Sequence, residues 1–297
     1  MAYVDTFRAR VKRHLFDWVL LIALIVALCV LATRHEGFRR EFSLQDASIQ
    51  FPHAEHERVP TWALVVISLI APLVIIICLP AGLDKPLYRI HYGVLGLAIT
   101  YCLTGTITNI IKLCAGRPRP DLLDRCQPKT NASAYHGQLV TDSVCTTPLD
   151  SKTLSDGFKS FPSGHSSSAF CGMVYLGFYV RHILWHYAQR YVGRRYESSH
   201  AFASTSDVSD TAEPETALLH GDDSESVDER GRSIVLFGAV AQLLLLLAAT
   251  LVGVSRTMDY RHHSTDVLAG GIIGSLVAVF IFHVYHPMFV PRVEMLR

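Results

Sequence analysis

The sequence predicts an all-α, polytopic membrane protein: a bundle of six transmembrane helices with its reactive residues gathered at one set of helix ends. Three observations predict it. Half of the 297 residues are apolar and the mean hydropathy is positive, which suits a compact membrane bundle. Six apolar runs approach the 20 or so residues that a helix needs to cross a bilayer. The polar clusters able to do chemistry stand at the ends of those runs and not within them.

The first run, Leu15 to Thr33, follows Arg8, Arg10, Lys12 and Arg13 as a secretory signal would. Its apolar stretch is too long for such a signal and no A-x-A site follows, so an uncleaved span is expected. The second is Thr61 to Pro80. The third, Tyr92 to Cys114, carries Thr104, Thr108, Asn109 and Lys112 three or four residues apart. These share one helix face that lipid penalises and a bundle interior accepts. The helix should stop by Gly116, because Pro118 disfavours helical geometry at Arg117. In the connecting segment that follows, Asn131, Ala132 and Ser133 form a glycosylation acceptor flanked by Cys126 and Cys145. The pair and the acceptor fit a lumenal or extracellular loop, with Asn131 glycosylated, Cys126 bonded to Cys145 and the N-terminus cytosolic. Arg34, Arg39 and Arg40 flank the far end of the first run, so the basic-residue bias adds little to that orientation.

The fourth run is Ser166 to Tyr187. Glu197 to Arg232 is rich in Ser, Asp and Glu, with few large apolar residues to repay the entropy of ordering, and is expected to be a disordered cytosolic linker. The fifth run is Ile234 to Val254 and the sixth Val267 to Tyr285, where Gly270 and Gly274 allow close helix packing. No internal repeat of the kind common in transporters is visible.

A net charge of +1 with interspersed signs gives no reason to expect nucleic acid. The seven cysteines include no CxxC pair and no zinc-type spacing.

Three clusters carry chemistry. Lys112 to Pro120 reads KLCAGRPRP at the end of the third span. Phe161 to Ser168 reads FPSGHSSS at the entry to the fourth, where Pro162 and Ser163 suit a helix start and Gly164 permits close approach of a ligand. Free N–H groups and the positive end of the helix dipole would face an anion there. Ser255 to Asp266 reads SRTMDYRHHSTD between the fifth and sixth spans. His262 and Asp266, four apart, would share a helix face if the sixth helix begins near them, and a carboxylate so placed can fix the imidazole tautomer. Taken singly, each has a plainer reading: a snorkelling lysine, a capped helix start, a structural His and Asp pair. The predicted topology puts all three on one side of the membrane. A metal site at His165, His262, His263 and Asp266 is disfavoured by Lys112, Arg119 and Arg256, whose charges repel a divalent ion and suit a phosphate.

Together, K-x6-RP at Lys112, PSGH at Pro162 and SR-x5-H-x3-D at Ser255 resemble the three-part signature of the type 2 phosphatidic acid phosphatase superfamily, the lipid phosphate phosphatases. The stretches EFSLQDASIQFPHAEHERVP (41–60), RPDLLDRCQP (119–128) and VCTT (144–147) look like the fungal members that act on diacylglycerol pyrophosphate and phosphatidate. The resemblance implies that His262 attacks phosphorus, Asp266 orients it and His165 protonates the leaving alkoxide. Lys112, Arg119, Arg256, Ser163 and the backbone at Gly164 would hold the phosphoryl oxygens. It also implies a lipid phosphate substrate; the three fixed cations point to a metal-independent reaction with no cofactor, and the acceptor and cysteine pair to a site on the lumenal or extracellular face of an endomembrane (vacuole, Golgi or ER) or the plasma membrane. A phosphatase for a sphingoid base phosphate or prenyl diphosphate shares the signature. A transporter or non-catalytic lipid-binding protein would instead carry ionisable residues near mid-membrane and tolerate changes at His262.

Overall fold

The computed structural model describes residues 2–33, 36–83, 86–129, 135, 137–206 and 215–286, with 2–13, 192–206 and 215–228 as backbone alone. An apolar segment in hydrocarbon must satisfy its own backbone polar groups, and a helix does so within one segment. The chain accordingly forms α1 (Ala2–Thr33), α2 (Thr61–Gly82), α3 (Pro86–Ala115), α4 (Leu122–Cys126), α5 (Lys152–Gly157), α6 (Gly164–Ser206), α7 (Glu215–Met258) and α8 (Ser264–Tyr285). Among the described residues there is no strand, only two isolated β-bridges that pair Phe42 with Val140 and Pro128 with Cys145.

Among the described residues, five helical stretches are long and apolar enough to cross a membrane: His14–Thr33, Thr61–Gly82, Pro86–Ala115, Glu229–Met258 and Ser264–Tyr285. Large apolar side chains stand exposed on their outer faces at helical spacing, such as Leu243, Leu247 and Leu251 on α7 and Leu268, Ile272, Leu276 and Phe280 on α8. Continuous apolar faces of this kind belong against lipid, and the protein is an integral membrane protein. The run expected at Ser166 to Tyr187 lies on α6 and is not one of the five. It opens with Ser166, Ser167 and Ser168 and carries Arg181, His182 and His186 further on. Its serines and histidines are compatible with its place, because α6 packs against α2, α3, α7 and α8 and buries Ala169, Cys171, Tyr175, Tyr179 and Ile183, whereas Arg181 is exposed.

Two helix bounds differ from expectation in ways that matter below. The fifth run continues as helix to Met258, and the last helix opens at Ser264, beyond His262. In the segment expected to be a linker, the backbone is helical to Ser206 and again from Glu215, while 207–214 and Asn131 lie outside the described residues.

Close contact between α6 and α8 fixes the site. A methyl group added at Gly270 would stand 2.4 Å from the Ser163 carbonyl oxygen, and one at Gly274 would stand 2.3 Å from that of Ser167. Only glycine lets the two backbones approach so far, and the approach brings the start of α8 beside the start of α6. Over this end of the bundle, residues 36–60, 116–129 and 137–163 form a small cap. Its core of Phe42, Leu44, Ile49, Leu122, Leu154 and Phe158 surrounds the Cys126–Cys145 disulfide.

Candidate active site

α3 delivers the first cation. Lys112 sits in its last turn, and the chain then reverses at Gly116, whose φ of +55° and 2.3 Å clearance to the Phe38 carbonyl exclude any side chain. The reversal carries Arg119 into the cap, where it is 7% exposed. Its Nη2 bonds Asp156 Oδ1 at 2.9 Å and its N–H donates to the Gly157 carbonyl. Burial works against the Asp156 charge, but Arg119 and Arg125 outweigh it and hold the carboxyl down at about 2.

α6 begins at Gly164. Ser163 is fully buried. Its N–H donates to the Asp266 carbonyl at 3.0 Å and its Oγ accepts from the Ser166 N–H at 3.4 Å, so it serves as a helix cap. The N–H groups of the first turn, Gly164 and His165, lie outside the intrahelical ladder. Lys112 Nζ lies 3.4 Å from where a methyl on Gly164 would stand, which sets the lysine over this helix start. His165 donates from Nε2 to the Val59 carbonyl at 3.2 Å. Burial, then the nearby Arg256 charge, lowers its pKa to about 4.

The end of α7 supplies Arg256, 1% exposed and anchored on three sides. Nε donates to Ser255 Oγ at 3.3 Å, Nη1 to Glu57 Oε2 at 2.8 Å and Nη2 to Asp259 Oδ2 at 2.7 Å. The N–H groups of Arg261 and His262 both turn back to the Arg256 carbonyl. This places His262, 4% exposed, facing the cap. Its Nδ1 donates to the Ser160 carbonyl at 2.7 Å, which leaves Nε2 with its lone pair. Burial, followed by the Arg119 and Lys112 charges, drives the His262 pKa well below its ordinary value, so the ring is neutral.

Asp266 does not touch His262 in the way the four-residue spacing suggested. The gap to Nδ1 is 3.9 Å. Because α8 opens at Ser264, His262 precedes the helix and shares no helical face with Asp266. The carboxylate, wholly buried, instead accepts at Oδ2 from Ser160 Oγ at 2.6 Å, from the His263 N–H at 3.0 Å and from His263 Nδ1 at 3.2 Å. Its Oδ1 takes Arg117 Nη1 at 2.6 Å. The Ser160 N–H is tied in turn to the Arg117 carbonyl at 3.1 Å. Asp266 therefore positions the residue that positions His262.

Lys112, Arg119, His165, Arg256 and His262 thus come together at one end of the bundle, beside the start of α6. Sequence reasoning missed Glu57, Arg117, Asp156, Asp259 and Ser160. Ser160 precedes the FPSGHSSS cluster by one residue, Asp259 lies inside SRTMDYRH and Arg117 inside KLCAGRPRP, so proximity was the available signal; Glu57 lies in the 41–60 stretch, and Asp156 had no signal. Among the described residues no three His, Cys, Asp or Glu side chains are arranged to hold a metal ion.

A neutral, desolvated imidazole with one free nitrogen amid fixed cations is equipped to attack an anionic phosphorus centre. Comparisons with known proteins find relatives named as lipid phosphatases. Lipid phosphate phosphatase 2 of Arabidopsis thaliana is 33% identical over 278 residues, covering 92% of this chain and 78% of that protein. Diacylglycerol pyrophosphate phosphatase 1 of Saccharomyces cerevisiae is 32% identical over 291 residues, covering 97% and 85%. No solved structure matches the chain. Residues 93–288, which contain every cluster named above, match the PAP2 superfamily profile, and the chain belongs to that superfamily.

Proposed function

We propose that this protein is a metal-independent lipid phosphate phosphatase that acts on phosphatidate, diacylglycerol pyrophosphate and lysophosphatidate through a phosphohistidine. The carrying observation is His262: neutral, its Nδ1 proton held by the Ser160 carbonyl, its Nε2 free beside Lys112 and Arg119. In the first half-reaction Nε2 forms a bond to phosphorus as the P–O bond to the lipid breaks. His165, neutral in the free site, accepts the proton that the phosphate brings and passes it to the departing oxygen. In the second, His165 takes a proton from water, the water oxygen bonds phosphorus and the P–N bond breaks, releasing inorganic phosphate and restoring neutral His262. Lys112 contributes a point charge and Arg119 and Arg256 planar forks to the phosphoryl oxygens, with the first-turn N–H groups of α6 beside them.

The chain crosses the bilayer six times, α6 being the remaining span, and the site faces the lumen or the exterior. The Cys126–Cys145 disulfide beside the site supports that side, since such bonds persist in oxidising compartments. Phosphate release from the three lipids by the purified protein tests the reading. Activity should be intact in EDTA and inhibited by vanadate, which mimics the trigonal bipyramidal phosphoryl group. Activity lost in EDTA and restored by Mg²⁺ would count against it.

A further inference from the structure

Three consecutive residues of the irregular segment between α1 and α2 reach the end of α7 and the start of α6. The Val59 carbonyl accepts from His165 Nε2 at 3.2 Å, and the Arg58 N–H donates to Asp259 Oδ2 at 2.9 Å. Glu57 Oε2 lies 3.7 Å from the same His165 Nε2 while accepting from Arg256 Nη1 at 2.8 Å. Its Oε1 lies 3.2 Å from Arg261 Nη2, so both carboxylate oxygens are held and the group keeps its place beside the ring. Because Nε2 carries the proton of the neutral ring and spends it on Val59, Nδ1 is the nitrogen left to take up and release a travelling proton. A second proton charges the ring. Burial, Arg256 and Lys112 oppose that charge, and Glu57 is the carboxylate that favours it.

We propose that Glu57 is a positioning residue for the proton shuttle, stabilising the His165 imidazolium that exists only while a proton is in transit from the phosphate to the leaving oxygen. The inference rests on the phosphatase reading of this site. The ring is neutral in the free site, and a carboxylate beside a neutral ring contributes little. Once Nδ1 takes the proton of the phosphate, both ring nitrogens carry hydrogen and the carboxylate attracts the charge. Nδ1 then gives that proton to the oxygen whose bond to phosphorus breaks, and the ring is neutral again. The attraction therefore acts on the transition state and hardly on the ground state, which is the condition for raising a rate. The leaving group decides how much it matters. An alkoxide departs poorly without a proton, whereas p-nitrophenolate departs as the anion and makes no demand on the shuttle.

The test uses the purified full chain in detergent and reads the ratio of kcat/KM for dihexanoyl phosphatidate to that for p-nitrophenyl phosphate. kcat/KM reports the half-reaction in which the leaving group departs. A ratio taken on one preparation cancels any misfolded fraction and any change in binding common to both phosphates. Glu57→Gln, close in shape but uncharged, should lower the ratio about tenfold or more, and Glu57→Ala should lower it in the same direction. In a His165→Ala background Glu57→Gln should move the ratio by less than about twofold, since the residue it acts through is gone. An unchanged ratio in both single variants, or a drop of the same size in the His165→Ala background, overturns the inference. Wild-type protein that releases phosphate from neither substrate defeats the phosphatase reading itself; wild-type protein active on both, with a ratio that Glu57 does not move, defeats the role of Glu57 alone.

Discussion

Ser160→Ala is a small change with a large expected effect, because the Ser160 side chain and carbonyl act on different partners. The hydroxyl donates to the buried Asp266 carboxylate at 2.6 Å, and the carbonyl accepts from His262 Nδ1 at 2.7 Å. Removing Oγ deletes a hydrogen bond to a charged, wholly buried acceptor, which costs about 1.5–3 kcal/mol. It leaves the Ser160 N–H bond to the Arg117 carbonyl, at 3.1 Å, to hold the peptide. Loosened support for the ring should lower turnover by about ten- to a hundredfold, about 1.4–2.7 kcal/mol of barrier. Thermal unfolding in detergent reads the first quantity and phosphate release the second. The comparison with Asp266→Asn decides the pathway. If the carboxylate acts through Ser160, the double variant should lose less than the product of the two single losses, since both break one connection. Independent, multiplicative losses, or a Ser160→Ala enzyme with wild-type turnover, would refute the reasoning.

Arg256→Lys keeps the charge but not the fork that bonds Ser255, Glu57 and Asp259, and turnover should fall about a hundredfold or more; a loss below threefold would argue against that role. In the free site His165 is held near pKa 4, so its imidazole is neutral at pH 7 and the catalytic proton arrives with the substrate. kcat/KM should therefore fall as pH rises through the second phosphate ionisation at about 6, whereas a flat profile from pH 6 to 8 contradicts this. Opening the cap by replacing both Cys126 and Cys145 with Ser releases a loop with a sequence separation of 19. The cost should be about 3 kcal/mol, visible as a lower unfolding temperature and earlier protease nicking between residues 127 and 144; an unchanged melt would contradict it.

The helices were legible because each apolar run announces its own length requirement. α6 is the instructive case. It was readable as a run, but its serines and two histidines make sense only once α2, α3, α7 and α8 are seen around it. The cations and histidines of the site were readable from short motifs. The contacts that set their chemistry were not, because they join residues about a hundred positions apart or more: Ser160 with His262, Glu57 with Arg256. The Asp266 contact was misjudged for a local reason. The four-residue rule holds only within a helix, and α8 starts two residues after His262.

The central claim is that His262 Nε2 takes the phosphoryl group, and mapping the covalent intermediate tests it most directly. His263 is the competing candidate by sequence, but its Nδ1 lies 3.2 Å from Asp266 Oδ2, which commits it to capping α8. Enzyme mixed with lipid labelled at its terminal phosphate, quenched without acid and digested, should carry the label on His262. His262→Ala should carry none and release no phosphate, while His263→Ala should still be labelled. Label on His263, or label that survives in His262→Ala, would contradict the account.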